Sequence, residues 1–338
     1  MERIKRWVLS FVAVAVLLPT AGASDLWAQT ASAPVTLKAV TAWTKHWVFN
    51  DLYFEWVRRV NERAAGRLKI EYVGGPEVFP AFEQLDPVKR GVIDSINPPA
   101  AYLTGVLPEF HAVDLLFDAS DPVKAREIGL FDRLDRISRE KAGVTLLGAT
   151  FWLPFSIYLN RPIEKADLKG FKMRSTPLYD PVLKGLGAAT VGLPPAEVIP
   201  ALQTGIVDGM AWPALFIVQP GYARYLKYKV MPWWWQNIGG LVLINAKSFD
   251  QLPADLKNLM VETIKEIERE AKRYFLAKEA AEDEQLKRIG LKIITLPEAE
   301  AEKAKRIHWE EGAKLFLTSP SPKYGPELKA LLAPFAPR

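Results

Sequence analysis

No cysteine occurs anywhere in the 338 residues, which removes thiol nucleophiles, cysteine-rich zinc sites and disulfides at once. Histidine is nearly as scarce. His46, His111 and His308 stand far apart, so no spacing suits a histidine-based metal centre. The chain also lacks a G-x-S-x-G nucleophile elbow, a phosphate-cradling G-x-x-x-x-G-K-S/T loop and an EF-hand loop. The stretch GLGAAT from Gly185 follows a helix rather than a strand, and reads as a helix C-cap instead of a dinucleotide loop. Catalysis thus has no visible centre, and neither a cofactor nor a metal is expected. Charge of one sign is not concentrated either. The formal net charge of +5 suits small anions but includes no dense basic stripe, so nucleic acid is not an expected partner.

The longest apolar run sits at the start. Arg3, Lys5 and Arg6 precede an apolar stretch from Trp7 to Leu18, too short to span a bilayer. Ala21-Gly22-Ala23 and Ala31-Ser32-Ala33 each offer a small-residue cleavage site, so residues 1–33 read as a leader cut near 23–33. Beyond it no segment reaches spanning length, and the mature chain is expected to be exported and soluble. Its size suits two lobes better than one core.

An internal duplication supports two lobes. FEQLDPVKRGVIDSINPP (82–99) aligns without a gap on AEVIPALQTGIVDGMAWP (196–213), pairing Glu83 with Glu197, Gly91 with Gly205, Asp94 with Asp208 and Pro99 with Pro213. Before the first copy come the strand VTLKAVTAW, a helix through Phe54, Val57, Val60 and Ala64 closing at Gly66, and the strand RLKIEYV. Before the second come GFKMRS, a helix from Leu178 to Leu186 closing at Gly187, and ATVGL. Each half therefore reads β-α-β-α-β. The expected fold class is α/β: two lobes, each a parallel-rich sheet flanked by helices. The repeated carboxylates point to duplicated structural roles, not to an acid/base pair. Further on, a helix of ~35 residues carries Leu256, Met260, Ile264, Ile267, Ala271, Tyr274, Lys278, Ala281 and Ile289 at mostly helical spacing; at ~50 Å it outruns one lobe and should cross both. The tail from Ser319 is expected to be an irregular extension.

Strand ends in such sheets face a shared ligand cleft. That aims Trp43, Asn97, Arg174 and Trp212 at one place, Arg174 from the end of the FKM strand. Trp152 and Phe155 lie where the chain crosses between lobes, in FWLPFSIYLN. Trp233, Trp234, Trp235 and Gln236 precede the return crossing. Guanidinium among rings suits an anion held bidentately, with its apolar body against aromatics.

The motifs EVIPALQTGIVDGMAWP, GFKMRS, NERAAGRLKIEYVGG with GVID and AYLTG, and LVLINAKSFDQLP together resemble the solute-binding subunit of tripartite ATP-independent periplasmic (TRAP) transporters, DctP type, across roughly Val35 to Phe316. This resemblance implies a two-lobed periplasmic-binding-protein-like fold, closure on a solute, and delivery to membrane permease subunits. It also implies a periplasmic location and a monomer. Lobe I would comprise 34–154 plus about 243–282; lobe II, 155–242 plus about 283–338. The family's carboxylate-binding arginine falls on Arg174. The expected ligand-binding set is Arg174, Trp212, Phe155, Trp152, Trp43, Tyr102, Asn97, Trp234 and Gln236. Where members often carry a carboxylate before the tryptophan, this chain has Ala211, and Pro154-Phe155-Ser156 stands where a second polar group is common. Those departures favour a monocarboxylate with an apolar or aromatic body. Two other readings remain open: a binding component of another importer or a sensor, and an exported enzyme on the same fold.

Overall fold

The computed structural model describes residues 34–176, 179–317 and 323–337. The leader expected over 1–33 and the first helical residue expected at Leu178 lie outside the described residues.

The duplication is real in three dimensions. The first half runs β1 (Val35–Thr41), α1 (Asp51–Arg63), β2 (Leu68–Gly74), α2 (Leu85–Lys89) and β3 (Ser95–Asn97). After α3 (Pro122–Glu127), α4 (Leu130–Ala142) and β4 (Val144–Leu159), the second half repeats the plan. It runs β5 (Lys172–Ser175), α5 (Asp180–Gly185), β6 (Ala189–Gly192), α6 (Val198–Gln203) and β7 (Gly209–Pro213). Each half places its first strand centrally and parallel to the other two, giving β2-β1-β3 and β6-β5-β7. Gly91 and Gly205, paired by the repeat, adopt φ of +71° and +70° after α2 and α6, a conformation that side chains with a Cβ resist.

The repeated aspartates do matching structural work. Asp94 accepts from the Lys38 amide at 2.8 Å, and Asp208 from the Lys172 amide at 2.9 Å. Each thus ties itself to an amide of its half's central strand, mid-strand in β1 and at the start of β5.

The two sheets expected separately are joined into one, ordered β2-β1-β3-β8-β4-β7-β5-β6 with β8 at Tyr228–Asn245, and a ninth strand lies off this path. Two long strands do the joining. β4 has 16 residues, all buried, and β8 (Tyr228–Asn245) has 18; they pair antiparallel from Val144↔Asn245 to Leu159↔Tyr228. The inferred crossings between lobes are these two strands. A connection can cross as a ribbon without orphaning backbone groups when its partner runs beside it.

After β8 come α7 (Ala246–Asp250), α8 (Ala254–Arg288), β9 (Lys292–Thr295), α9 (Glu298–Leu317) and α10 (Gly325–Leu332). β9 adds to β8 in parallel. α8 has the expected 35 residues, about 50 Å. It touches both halves: the Trp56 indole of α1 donates to the Met260 carbonyl, and Glu282 accepts from the Ile217 and Val218 amides beyond β7. Its buried stripe departs from the expected one after Ala271, continuing through Phe275 and Glu279 instead of Tyr274 and Lys278; Ile289 is exposed. Apolar periodicity missed this because Glu268 and Glu279 are buried as ion partners of Arg126 and Lys229. In α1 the buried side chains are Leu52, Tyr53, Trp56 and Val60, with Phe54 and Val57 only partly covered. The tail expected to be irregular forms α10, which buries Leu328 and Leu332 and pairs Glu327 with Arg133 and Arg136 of α4.

Candidate functional site

β5 ends at Ser175, and its alternation places Met173 and Arg174 on opposite faces. Arg174 is 2% exposed. Carbonyls from both flanking strands orient its guanidinium: Nε donates to Leu193 O at 3.0 Å, and one terminal nitrogen reaches Ala211 O at 3.5 Å. The group lies 5.1 Å from the Trp212 ring centroid. Among the described residues no carboxylate lies within ion-pair distance of it. Tyr102 and Tyr179 stand nearby, but burial pushes both phenols up, so neither supplies a negative charge. Burial likewise lowers the Arg174 pKa from its ordinary value. Its side chain also hydrogen-bonds the Tyr102 phenol, which leaves a buried guanidinium with no anionic partner among the described residues.

Beside it lies a cavity of about 40 Å³. Both halves build it. The first gives Trp43, Phe49, Pro99, Ala101 and Tyr102; the second gives Arg174, Thr176, Tyr179, Trp212 and Pro213. The long strands supply Phe151, Leu153 and Phe155 from β4 and Asn237 from β8. Pro99 and Pro213, paired by the duplication, thus meet at the same cavity. Rings cross it from half to half: Phe49 lies 6.3 Å from Trp212 and 5.1 Å from Phe216, and Trp47 lies 4.8 Å from Phe216.

Of the nine residues expected here, the structure brings Arg174, Trp212, Phe155, Trp43 and Tyr102 onto the lining. Four lie elsewhere. Trp152 sits between Phe151 and Leu153 and therefore points to the opposite sheet face, edge-on to Trp233 and beneath Lys272. Asn97 ties the sheet together, donating to Gly240 O at 2.6 Å. Trp234 packs with Pro232, Leu296 and Ala304 under β9 and α9. Gln236 pairs with Pro154 and is absent from the lining. In the tryptophan run it is Trp235 that approaches the cavity, as a backing stacked on Phe155 and Tyr179 at 5.5 and 4.9 Å. The residues sequence reasoning missed include Phe49, Phe151, Thr176, Tyr179 and Asn237. Strand parity would have found Phe151 beside Phe155; nothing local marks Asn237.

Two lobes around one buried, cation-headed, ring-walled cavity define a receptor for a small solute. Comparison with known proteins agrees. The family model for bacterial extracellular solute-binding proteins, family 7 (DctP), matches residues 39–316. A solute-binding protein of Albidiferax ferrireducens is 25% identical over 309 residues, covering 85% of this chain and 88% of its own. A monocarboxylate 2-oxoacid-binding periplasmic protein of Nostoc is 25% identical over 209 residues, 60% of this chain and 57% of its own. Among solved structures, a TRAP periplasmic solute-binding protein of Rhodoferax ferrireducens with bound malonate superposes with a TM-score of 0.78 at 22% identity, covering 88% of this chain and 98% of that one. The chain belongs to the DctP family, family 7 of the bacterial extracellular solute-binding proteins.

Proposed function

We propose that this protein captures an organic acid, a monocarboxylate with an apolar or aromatic body, and delivers it to the membrane permease of a TRAP transporter. The observation that carries this is Arg174: a fully buried guanidinium without a carboxylate partner among the described residues, at the head of a cavity otherwise walled by rings. A solute carboxylate would complete its hydrogen bonds and neutralise its charge. Trp43, Tyr102, Phe155 and Trp212 then hold the body. Arg174 is the sole cationic side chain among the described lining residues, so a second carboxylate would be buried unpaired. The 2-oxoacid-binding relative fits this reading. The malonate-bound neighbour shares the fold at an identity too low to carry its dicarboxylate across. Export by the leader to the periplasm, a monomeric state, and lobes at 34–154 with about 243–282 and 155–242 with about 283–338 belong to the same proposal. The test is calorimetric titration of the leaderless protein with phenylacetate and isovalerate against succinate and malate. Binding confined to the dicarboxylates would overturn the monocarboxylate reading.

A further inference from the structure

The cavity holds two polar atoms that no protein group satisfies. Thr176 is 3% exposed and Asn237 fully buried, and both line the cavity; the Thr176 hydroxyl and the Asn237 Oδ1 have no hydrogen-bond partner among the described residues. Leaving such groups unpaired in a dry interior is costly, and an apolar residue of similar shape would avoid the cost. The orientation of Asn237 is itself built. Its Nδ2 donates to Oδ1 of Asp114, a carboxyl buried behind the cavity wall. With the amide nitrogen engaged there, the oxygen is the end left for the cavity. An amide oxygen accepts hydrogen bonds and cannot donate them, whereas a threonine hydroxyl does either.

From this we propose that the solute carries a hydrogen-bond donor on its body, a hydroxyl or an N–H, in addition to the carboxylate, and that Asn237 is the residue that selects for it. The inference rests on the Arg174 reading above and narrows it. A plain acid would leave Asn237 Oδ1 unpaired. A keto acid could take a bond from Thr176 but would set its own oxygen against that of Asn237. A hydroxy acid satisfies both residues. Sites built to bond a buried hydroxyl discriminate strongly against analogues lacking it.

The test uses series that differ at one group: propionate, lactate and pyruvate; phenylacetate, mandelate and benzoylformate; and phenylacetate against its para-hydroxy derivative. Each is titrated calorimetrically into the leaderless protein. In at least one series the hydroxy member should bind about tenfold more tightly or better than both the plain and the keto member. Asn237→Leu should erase that preference. Thr176→Val, which keeps the shape, carries the same test if the leucine variant does not fold, and should weaken the preference. Equal affinities throughout, a preference for the keto member, or a hydroxyl preference untouched in a folded Asn237→Leu would overturn the inference while leaving Arg174 as anchor. Absence of binding by every acid would overturn the anchor reading, and this one with it.

Discussion

Replacing Arg174 by methionine separates a binding residue from a structural ion. Removing one partner of a buried ion pair typically costs about 3–5 kcal/mol, because the other charge is stranded. Arg174 strands nothing of that kind among the described residues, having two carbonyl contacts, the Tyr102 phenol and a ring but no carboxylate partner. Losing the two carbonyl bonds would cost about 2–4 kcal/mol. Ending the desolvation of a lone guanidinium would return several kcal/mol. The two nearly cancel, so Arg174→Met should fall within about 2 kcal/mol of wild type in urea unfolding without solute. Binding should behave differently. Two charge-assisted bonds to a carboxylate together contribute about 3 kcal/mol or more, so the dissociation constant should rise by over about a hundredfold. Arg174→Lys keeps charge but loses the planar fork, and should lose about 2 kcal/mol of binding. A methionine variant that loses more than about 4 kcal/mol of stability, or one that binds acids as before, would refute the reasoning.

Lys229→Met should destabilise by about 3–5 kcal/mol, because the ammonium lies buried between Glu279 at 3.0 Å and Asp283 at 2.7 Å and its loss strands Glu279; chemical unfolding near wild-type stability would contradict this. Asp94→Ala and Asp208→Ala should each lose about 1–3 kcal/mol by removing a carboxylate bond to an amide of the central strand, a matched pair of effects readable in urea melts, with solute affinity little changed. Burial pushes the His111 imidazole down to about 3. Below about pH 6.5 the unfolded chain therefore takes up a proton that the folded one refuses, and stability falls as pH falls. Wild type should lose about 2 kcal/mol more than His111→Phe between about pH 7.5 and pH 5, measured by urea unfolding, and parallel pH profiles would show that His111 is not held neutral.

Much of the molecule was legible in the chain because the information is local or repeated. The β-α-β-α-β plan of each half follows from apolar periodicity, from glycines at positive φ and from an ungapped duplication, all of which act over a few neighbouring residues. Arg174 was legible for a related reason: a short strand followed by a breaker fixes which face each of its side chains takes. The 35-residue helix likewise needed no partner to be seen. Tertiary structure decided the rest. Whether Phe151 or Trp152 lines the cavity depends on which face of β4 the sheet turns inward, and a shift of one residue exchanges them. Glu268, Glu279 and Lys229 read as surface charges until their partners, far away in sequence, make burial tolerable. The two lobes share one sheet because β4 and β8 find each other over their whole length, a long-range pairing that no local pattern specifies. Asn237 reaches the cavity lining with its amide nitrogen held by Asp114, 123 residues earlier. Local sequence sets which elements form; which atoms line the cavity follows from contacts between residues the chain keeps far apart.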